Sequence, residues 1–311
     1  MLKNIIIDTD CGTDDALALL YALDSDKFKI TGITTVFGNV TAKQAAFNVS
    51  YILRLTGKEN IPLAIGQEKP INQPLRHSPP SIHGEYGLGT ITSTYMSKTL
   101  RSITAVEFII DTISKSKEKI TFLSIGPLTN IGLALTLRPE IAENIEEIII
   151  MGGAYLKNGN VTPAAEANIY SDAVAAEKIF SSPCQVTMVG LDVTTKVIMS
   201  KKYLETMSSH KKYGAFIKSL TSTFYNFLSE NFNINGIFPH DLVAIFYAAD
   251  KSLFKTINGR VYVNTQGLML GQTYIDRRKK YIKGTEWDNR KHSKVCTEVN
   301  AEKLLDEFRK F

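Results

Sequence analysis

Ile5-Ile6-Ile7-Asp8-Thr9-Asp10-Cys11-Gly12-Thr13-Asp14-Asp15-Ala16 is the stretch on which the reading of this chain turns. An apolar, β-branched run meets four aspartates set around one glycine, and the helix-like Ala16-Leu17-Ala18-Leu19-Leu20 follows at once. That order describes a buried strand ending in an acidic turn, with a helix behind it. Such a unit aims several carboxylates into the crevice at the carboxyl end of an open sheet, where ligands bind. Like charges a few ångströms apart resist joint ionisation, and a hard cation that prefers oxygen ligands, Ca²⁺ or Mg²⁺, removes the repulsion. Capping and the helix dipole explain one or two acids, at about 0.3 to 1 kcal/mol each, and leave the others without a role. An EF-hand loop begun at Asp8 needs a glycine and an acid where Thr13 and Leu19 stand, so that motif is excluded. A haloacid-dehalogenase-type phosphatase would use Asp8 as nucleophile in an Asp-x-Asp-Gly-Thr turn. Cys11 interrupts that turn, and no later Gly-Asp-x-x-x-Asp segment completes the site.

The alternation continues along the chain. Apolar runs at Ile5 to Ile7, Ile30 to Val36, Ile120 to Ile125, Ile145 to Met151 and Val186 to Leu191 predict strands. Between them, helical periodicity covers Asp14 to Leu23, Ala42 to Leu55, Ala105 to Ser114, Leu128 to Leu137 and Asp172 to Phe180. Strand and helix in repetition imply an α/β fold: a doubly wound, mainly parallel sheet flanked by helices, with a Rossmann-like core. The last third reads as helical over Lys212 to Asn231 and Asp241 to Ala249, with late strands at Val261 to Val263 and Thr273 to Ile275. Proline and glycine between Pro70 and Gly89 predict a long loop.

The 311 residues are expected to form one domain over 1–311, since no linker, repeat or low-complexity tract divides them. No apolar run approaches the roughly 20 residues of a membrane span, and the amino terminus enters the strand pattern too soon for a signal peptide. A cytoplasmic protein with no membrane partner is therefore expected. Cys11, Cys184 and Cys296 are odd in number and far apart, which suits free thiols and argues against a zinc site. The formal charge of +5 is spread over many residues, with local basic clusters at Arg277-Arg278-Lys279-Lys280 and Arg290-Lys291-His292. Both clusters read as solvated surface, and without interleaved aromatics no nucleic-acid partner is expected.

Polar clusters fall where the predicted strands end. Phe37-Gly38-Asn39 follows the second, Ser124-Ile125-Gly126-Pro127-Leu128-Thr129-Asn130 another, and Met151-Gly152-Gly153 a third, leading to Asn158-Gly159-Asn160 and Glu166-Ala167-Asn168. Amides beside a carboxylate offer both donors and acceptors to neutral hydroxyls, which is what holding a sugar requires. His240-Asp241 opens a distant helix.

Taken together, these segments resemble the inosine-uridine nucleoside hydrolase family over nearly the whole chain, with Cys11 where the family usually has proline. The resemblance implies the nucleoside hydrolase fold and an N-ribosyl hydrolase, acting in purine and pyrimidine salvage, that splits ribonucleosides into base and ribose with one Ca²⁺ per subunit. It implies Asp10, Asp15, Asp241 and the carbonyl oxygen of Ile125 as metal ligands, and Asp10 as general base toward the attacking water. By the same likeness Asp14, Asn39, Asn160, Glu166 and Asn168 grip the ribose, with Met151 in the substrate site. His83, from the Ile82-His83-Gly84 loop, faces the base, and His240 protonates the leaving base. A homotetramer or dimer is expected. Phe224, Tyr225, Phe227 and Phe232 are unranked candidates for the base pocket, which this segment and the Pro70 to Gly89 loop are expected to close over. The competing class is a nucleoside or ribose binder without catalysis, against which Asp10 and His240 together argue.

Overall fold

The structure is a computed structural model describing residues 2–76, 78–278 and 284–311. Strands β1 (Lys3–Thr9) and β2 (Phe28–Thr35) flank helix α1 (Thr13–Asp24), and α2 (Ala42–Thr56) leads to the short β3 (Leu63–Ile65). A single turn, α3 (Pro80–His83), lies inside the predicted loop, followed by α4 (Ala105–Lys115), β4 (Ile120–Ser124), α5 (Thr129–Leu137) and β5 (Ile145–Met151). Next come α6 (Ala167–Ser171), α7 (Ala173–Phe180), β6 (Val186–Val189), α8 (Leu191–Thr194), β7 (Met199–Ser200) and α9 (Lys201–Met207). The chain continues through α10 (Gly214–Phe232), β8 (Gly236–Ile237), α11 (His240–Ala249), β9 (Phe254–Val263), β10 (Thr273–Asp276), β11 (His292–Val299) and α12 (Ala301–Lys310).

Nine strands form one sheet in the order β10-β9-β11-β6-β5-β4-β1-β2-β3, and β7 pairs with β8 apart from it. From β3 to β11 neighbouring strands run parallel, while β9 and β10 add antiparallel partners at one edge. The sheet is mainly parallel and covered on both faces, as the continuous apolar runs require. Successive side chains of a strand point to opposite faces, and the isoleucines of β1 divide accordingly. Ile5 and Ile7 join the core packed with α1, α2, α10 and α11, and Ile6 joins the core packed with α5 and α7. Among the described residues no helix is long and apolar enough to cross a membrane.

The helix expected over Asp172 to Phe180 is α7, with Asp172 as its cap accepting from Ala175 N at 3.0 Å, and the short α6 precedes it. Two sequence expectations are corrected. Ile125 lies one residue beyond β4. Arg290 is not solvated surface; its guanidinium bonds Glu177 and Val261 O and lies 4.8 Å over the ring of Tyr262. In the other basic cluster, Arg277 lies 4.7 Å over the ring of Tyr155 and Arg278 pairs with Asp276 at 2.8 Å, while Lys279 and Lys280 lie outside the described residues.

Candidate active site

Parallel strands β2, β1, β4 and β5 lie side by side and end on one rim, so the segments just beyond them converge. Asp10 leaves β1 there, and Cys11, at φ 38°, bends the chain so that Asp14 and Asp15 open α1 beside it. Asp241, in the first turn of α11, reaches the same spot because α11 packs against α1. Carboxylate oxygens of Asp14, Asp15 and Asp241 all lie within 4.8 Å of one another. Asp10 stands close enough for its charge and that of Asp15 to repel each other.

The four acids are between 0% and 6% exposed, and neighbours hold both oxygens of Asp15 and one of Asp10. Asp15 accepts from Thr9 Oγ1 at 2.5 Å and Gly12 N at 2.8 Å, while Asn39 N donates to Asp10 Oδ2 at 2.7 Å. Asp10 Oδ1 is buried without a partner. Burial, then the Asp15 charge, raises Asp10 well above the ordinary carboxylate range, and the same two causes lift Asp14 to about 7. Asp15 is raised chiefly by burial, and Asp241 by burial and then by Asp14. Glycine lets the backbone crowd this spot: a Cβ on Gly38 would sit 2.0 Å from Asp10 Oδ2. Four buried acids with Asp10 Oδ1 unpartnered, and no basic side chain among their hydrogen-bond partners in the described residues, fit a divalent cation.

Other predicted residues stand around this centre. Asn39 donates through Nδ2 to Asp15 Oδ2 at 3.2 Å and accepts from Ser78 Oγ at 2.9 Å. Asn168, at the start of α6, donates to the carbonyls of Ile125 at 3.2 Å and Met151 at 3.1 Å, tying three strand-end segments together. Glu166 is buried and accepts from the backbone amides of Gly153, Asn168 and Ile169, so its oxygens also pin the turn after β5. Asn160 is the outlier: it is exposed, and its Oδ1 accepts from Ala167 N at 3.0 Å.

His83 is 8% exposed, and its Nδ1 accepts from Thr13 N at 3.2 Å. Burial, then His240, lowers it to about 4. Its ring lies 5.5 Å from that of Phe224, which singles out one of the four aromatic candidates. Tyr225 instead bonds Asn235, and Phe227 packs against the exposed Phe232. The loop expected to close over the site is fastened at several points. Ser78 N donates to Gly38 O at 3.3 Å, Asn48 Nδ2 to Tyr86 O at 2.7 Å, and Ile71 N to Asp172 at 2.9 Å. Half-buried His240 has Nδ1 2.7 Å from Thr194 Oγ1, a neighbour that sequence reading missed because nothing links positions 194 and 240 along the chain. Burial lowers His240 to about 4 as well.

Asp8, the nucleophile that a phosphatase would need, points away from this chemistry. It is wholly buried, with Oδ1 held by Thr34 at 2.6 Å and Asn130 at 2.8 Å. Burial lifts it to about 7.

The chain is similar to known proteins over nearly its whole length. Residues 5–306 match the family model described as inosine-uridine preferring nucleoside hydrolase. The chain is 34% identical to a protein named probable uridine nucleosidase 2 of Arabidopsis thaliana, over 96% of this chain and 94% of the relative. It is 37% identical to the non-specific ribonucleoside hydrolase RihC of Klebsiella pneumoniae, over 88% of each. A solved plant nucleoside hydrolase, PpNRh1, superposes with a TM-score of 0.96 at 32% identity, covering 100% of this chain and 98% of that one. The chain belongs to the inosine-uridine preferring nucleoside hydrolase family and is a ribonucleoside hydrolase, an enzyme that cuts N-glycosyl bonds.

Proposed function

We propose that this enzyme hydrolyses ribonucleosides, with a purine or a pyrimidine base or both, to free base and ribose, with one Ca²⁺ per subunit as its resident cofactor. The observation that carries the reading is the group of four buried aspartates at the strand ends, with Asp10 Oδ1 unpartnered. Asp10, Asp15, Asp241 and the carbonyl oxygen of Ile125 would hold the ion, a mixed oxygen set of the kind Ca²⁺ accepts. An ion held by these residues would screen the acids from one another, offer open positions to the ribose 2′ and 3′ hydroxyls and lower the pKa of a water.

The remaining work falls to side chains. Asp10 takes the proton of the attacking water as general base. Asp14, Asn39, Asn160, Glu166 and Asn168 orient the ribose hydroxyls, and Met151 lines the site beside Asn168, whose Nδ2 lies 3.4 Å from its sulfur. As the glycosidic bond lengthens, ribose becomes oxocarbenium-like and the base gains negative charge. The aspartates favour the first, and His240 favours the second by directing its N–H proton toward the base in a hydrogen bond that strengthens as the charge grows. The ring is neutral at pH 7, since burial lowers it to about 4, so it meets the base as an N–H donor. His83 and Phe224 present aromatic surface to the base, and stacking on such surface serves either base class.

The same reading takes in a homotetramer or dimer in the reducing cytoplasm, where free, buried Cys11, Cys184 and Cys296 are stable. The test is incubation with inosine, uridine and cytidine and measurement of free ribose. Release of ribose from a purine or a pyrimidine substrate supports the proposal. Saturable nucleoside binding without ribose release would make the chain a binding protein.

A further inference from the structure

The contact between His240 and Thr194 bears on which ring nitrogen carries the proton. Thr194 lies at the end of α8 and is fully buried. Its backbone N–H is already spent on Gly190 O at 3.1 Å. Among the described residues its hydroxyl has a single hydrogen-bond partner, His240 Nδ1, at 2.7 Å. If Nδ1 carried the ring proton, it would donate to Thr194 Oγ1 and leave the hydroxyl proton buried with no acceptor, which is disfavoured by about tenfold or more. If the hydroxyl donates to Nδ1, every polar atom of the pair is satisfied and the ring proton sits on Nε2. His83 obeys the same rule by a different route: a backbone amide can only donate, so Thr13 N fixes His83 Nδ1 as acceptor and puts that ring's proton on Nε2 too.

We infer that Thr194 is a positioning residue that donates its hydroxyl proton to His240 Nδ1 and so presents Nε2–H to the leaving base. Without it the ring can turn over or change tautomer and show the base a lone pair in place of a donor. The inference rests on the proposed role of His240 as donor. It adds that this role is set from α8, outside the ring of residues that touch the sugar, and that the site favours bases with an acceptor nitrogen or carbonyl oxygen at the point His240 reaches.

The test has two readouts. In ¹⁵N-labelled, Ca²⁺-loaded resting enzyme, His240 should show a protonated-type Nε2 and an unprotonated-type Nδ1, and a protonated Nδ1 overturns the inference without recourse to activity. In kinetics, Thr194→Val should lower kcat for inosine and uridine about tenfold, the worth of one such hydrogen bond, with KM within about twofold. It should leave para-nitrophenyl riboside, whose leaving group needs no proton, unchanged. Thr194→Ser should restore the rate. Equal losses on all substrates, or a serine variant no faster than valine, overturn it. His240→Ala run alongside separates the two claims: if it slows nucleosides and the nitrophenyl riboside equally, the donor role itself falls, and if it discriminates while Thr194→Val does not, only Thr194 loses its role.

Discussion

Replacing Asp14 by asparagine should stabilise the chelated protein and do nothing comparable for the Ca²⁺-loaded one. In the ion-free chain, burial and then Asp15 lift Asp14 from 3.8 to about 7. The folded state therefore binds more protons than the unfolded chain between about pH 4 and 7, and stability falls as pH rises through that window. A shift of this size at about 1.36 kcal/mol per pH unit amounts to roughly 4 kcal/mol at most, fully felt by pH 8 and absent at pH 3. Asparagine keeps the shape and one acceptor but cannot ionise, so it removes this penalty. A bound cation removes it in the parent protein by compensating the charge. Urea unfolding in excess EGTA should thus find Asp14→Asn more stable than the parent by about 2 to 4 kcal/mol at pH 8 and by less than half of that at pH 5. The two should converge or reverse with Ca²⁺. An EGTA-treated parent as stable at pH 8 as at pH 5, or a variant destabilised equally in both conditions, would refute the reasoning.

Asp10→Ala should lose bound metal and ribose release together, read by elemental analysis beside the activity assay. His240→Ala should slow inosine and uridine hydrolysis by about 10² or more while sparing para-nitrophenyl riboside, the scale of general acid catalysis. Gly38→Ala forces a methyl group into the space 2.0 Å from Asp10 Oδ2, so Asp10 must move. A displacement of about 1 Å costs roughly 10² in rate, and calorimetric Ca²⁺ affinity should fall with it while circular dichroism stays unchanged. Amides of Gly84 and Gly89, which donate to Pro80 O and His83 O at 2.8 Å, should be protected from hydrogen exchange without ligand. Fast exchange that a saturating ribose-like inhibitor suppresses would show that the loop is a lid after all.

The parallel strands were legible because burial on both faces leaves continuous isoleucine-rich runs, and the acidic turn was legible because it follows one of them. Strand β11 was hidden by its own chemistry: Lys294 and Glu298 break the apolar run, and the basic residues at its start read as solvent-facing. Helix α12 carried a signal that went unused, with Asn300 as cap and the buried Leu304 and Phe308 four residues apart. Three-residue β3 is too short to show periodicity. At the site, sequence nominated Asp10, Asp15 and Asp241 as the cluster, whereas the carboxylates that come closest are Asp14, Asp15 and Asp241, because Asp14 on the first turn of α1 faces α11. Helix spacing from Gly12 could have suggested this, but only the packing of α1 on α11 decides it. Glu166 as a backbone clamp and Thr194 beside His240 depend on contacts between distant segments, which no local pattern encodes.

The most direct test of the central claim is the rate of ribose release from inosine and uridine after chelation and stepwise return of Ca²⁺. The account predicts that chelation abolishes release and that activity returns in proportion to Ca²⁺ up to one ion per chain. Full activity in protein shown by elemental analysis to hold no divalent ion would contradict it.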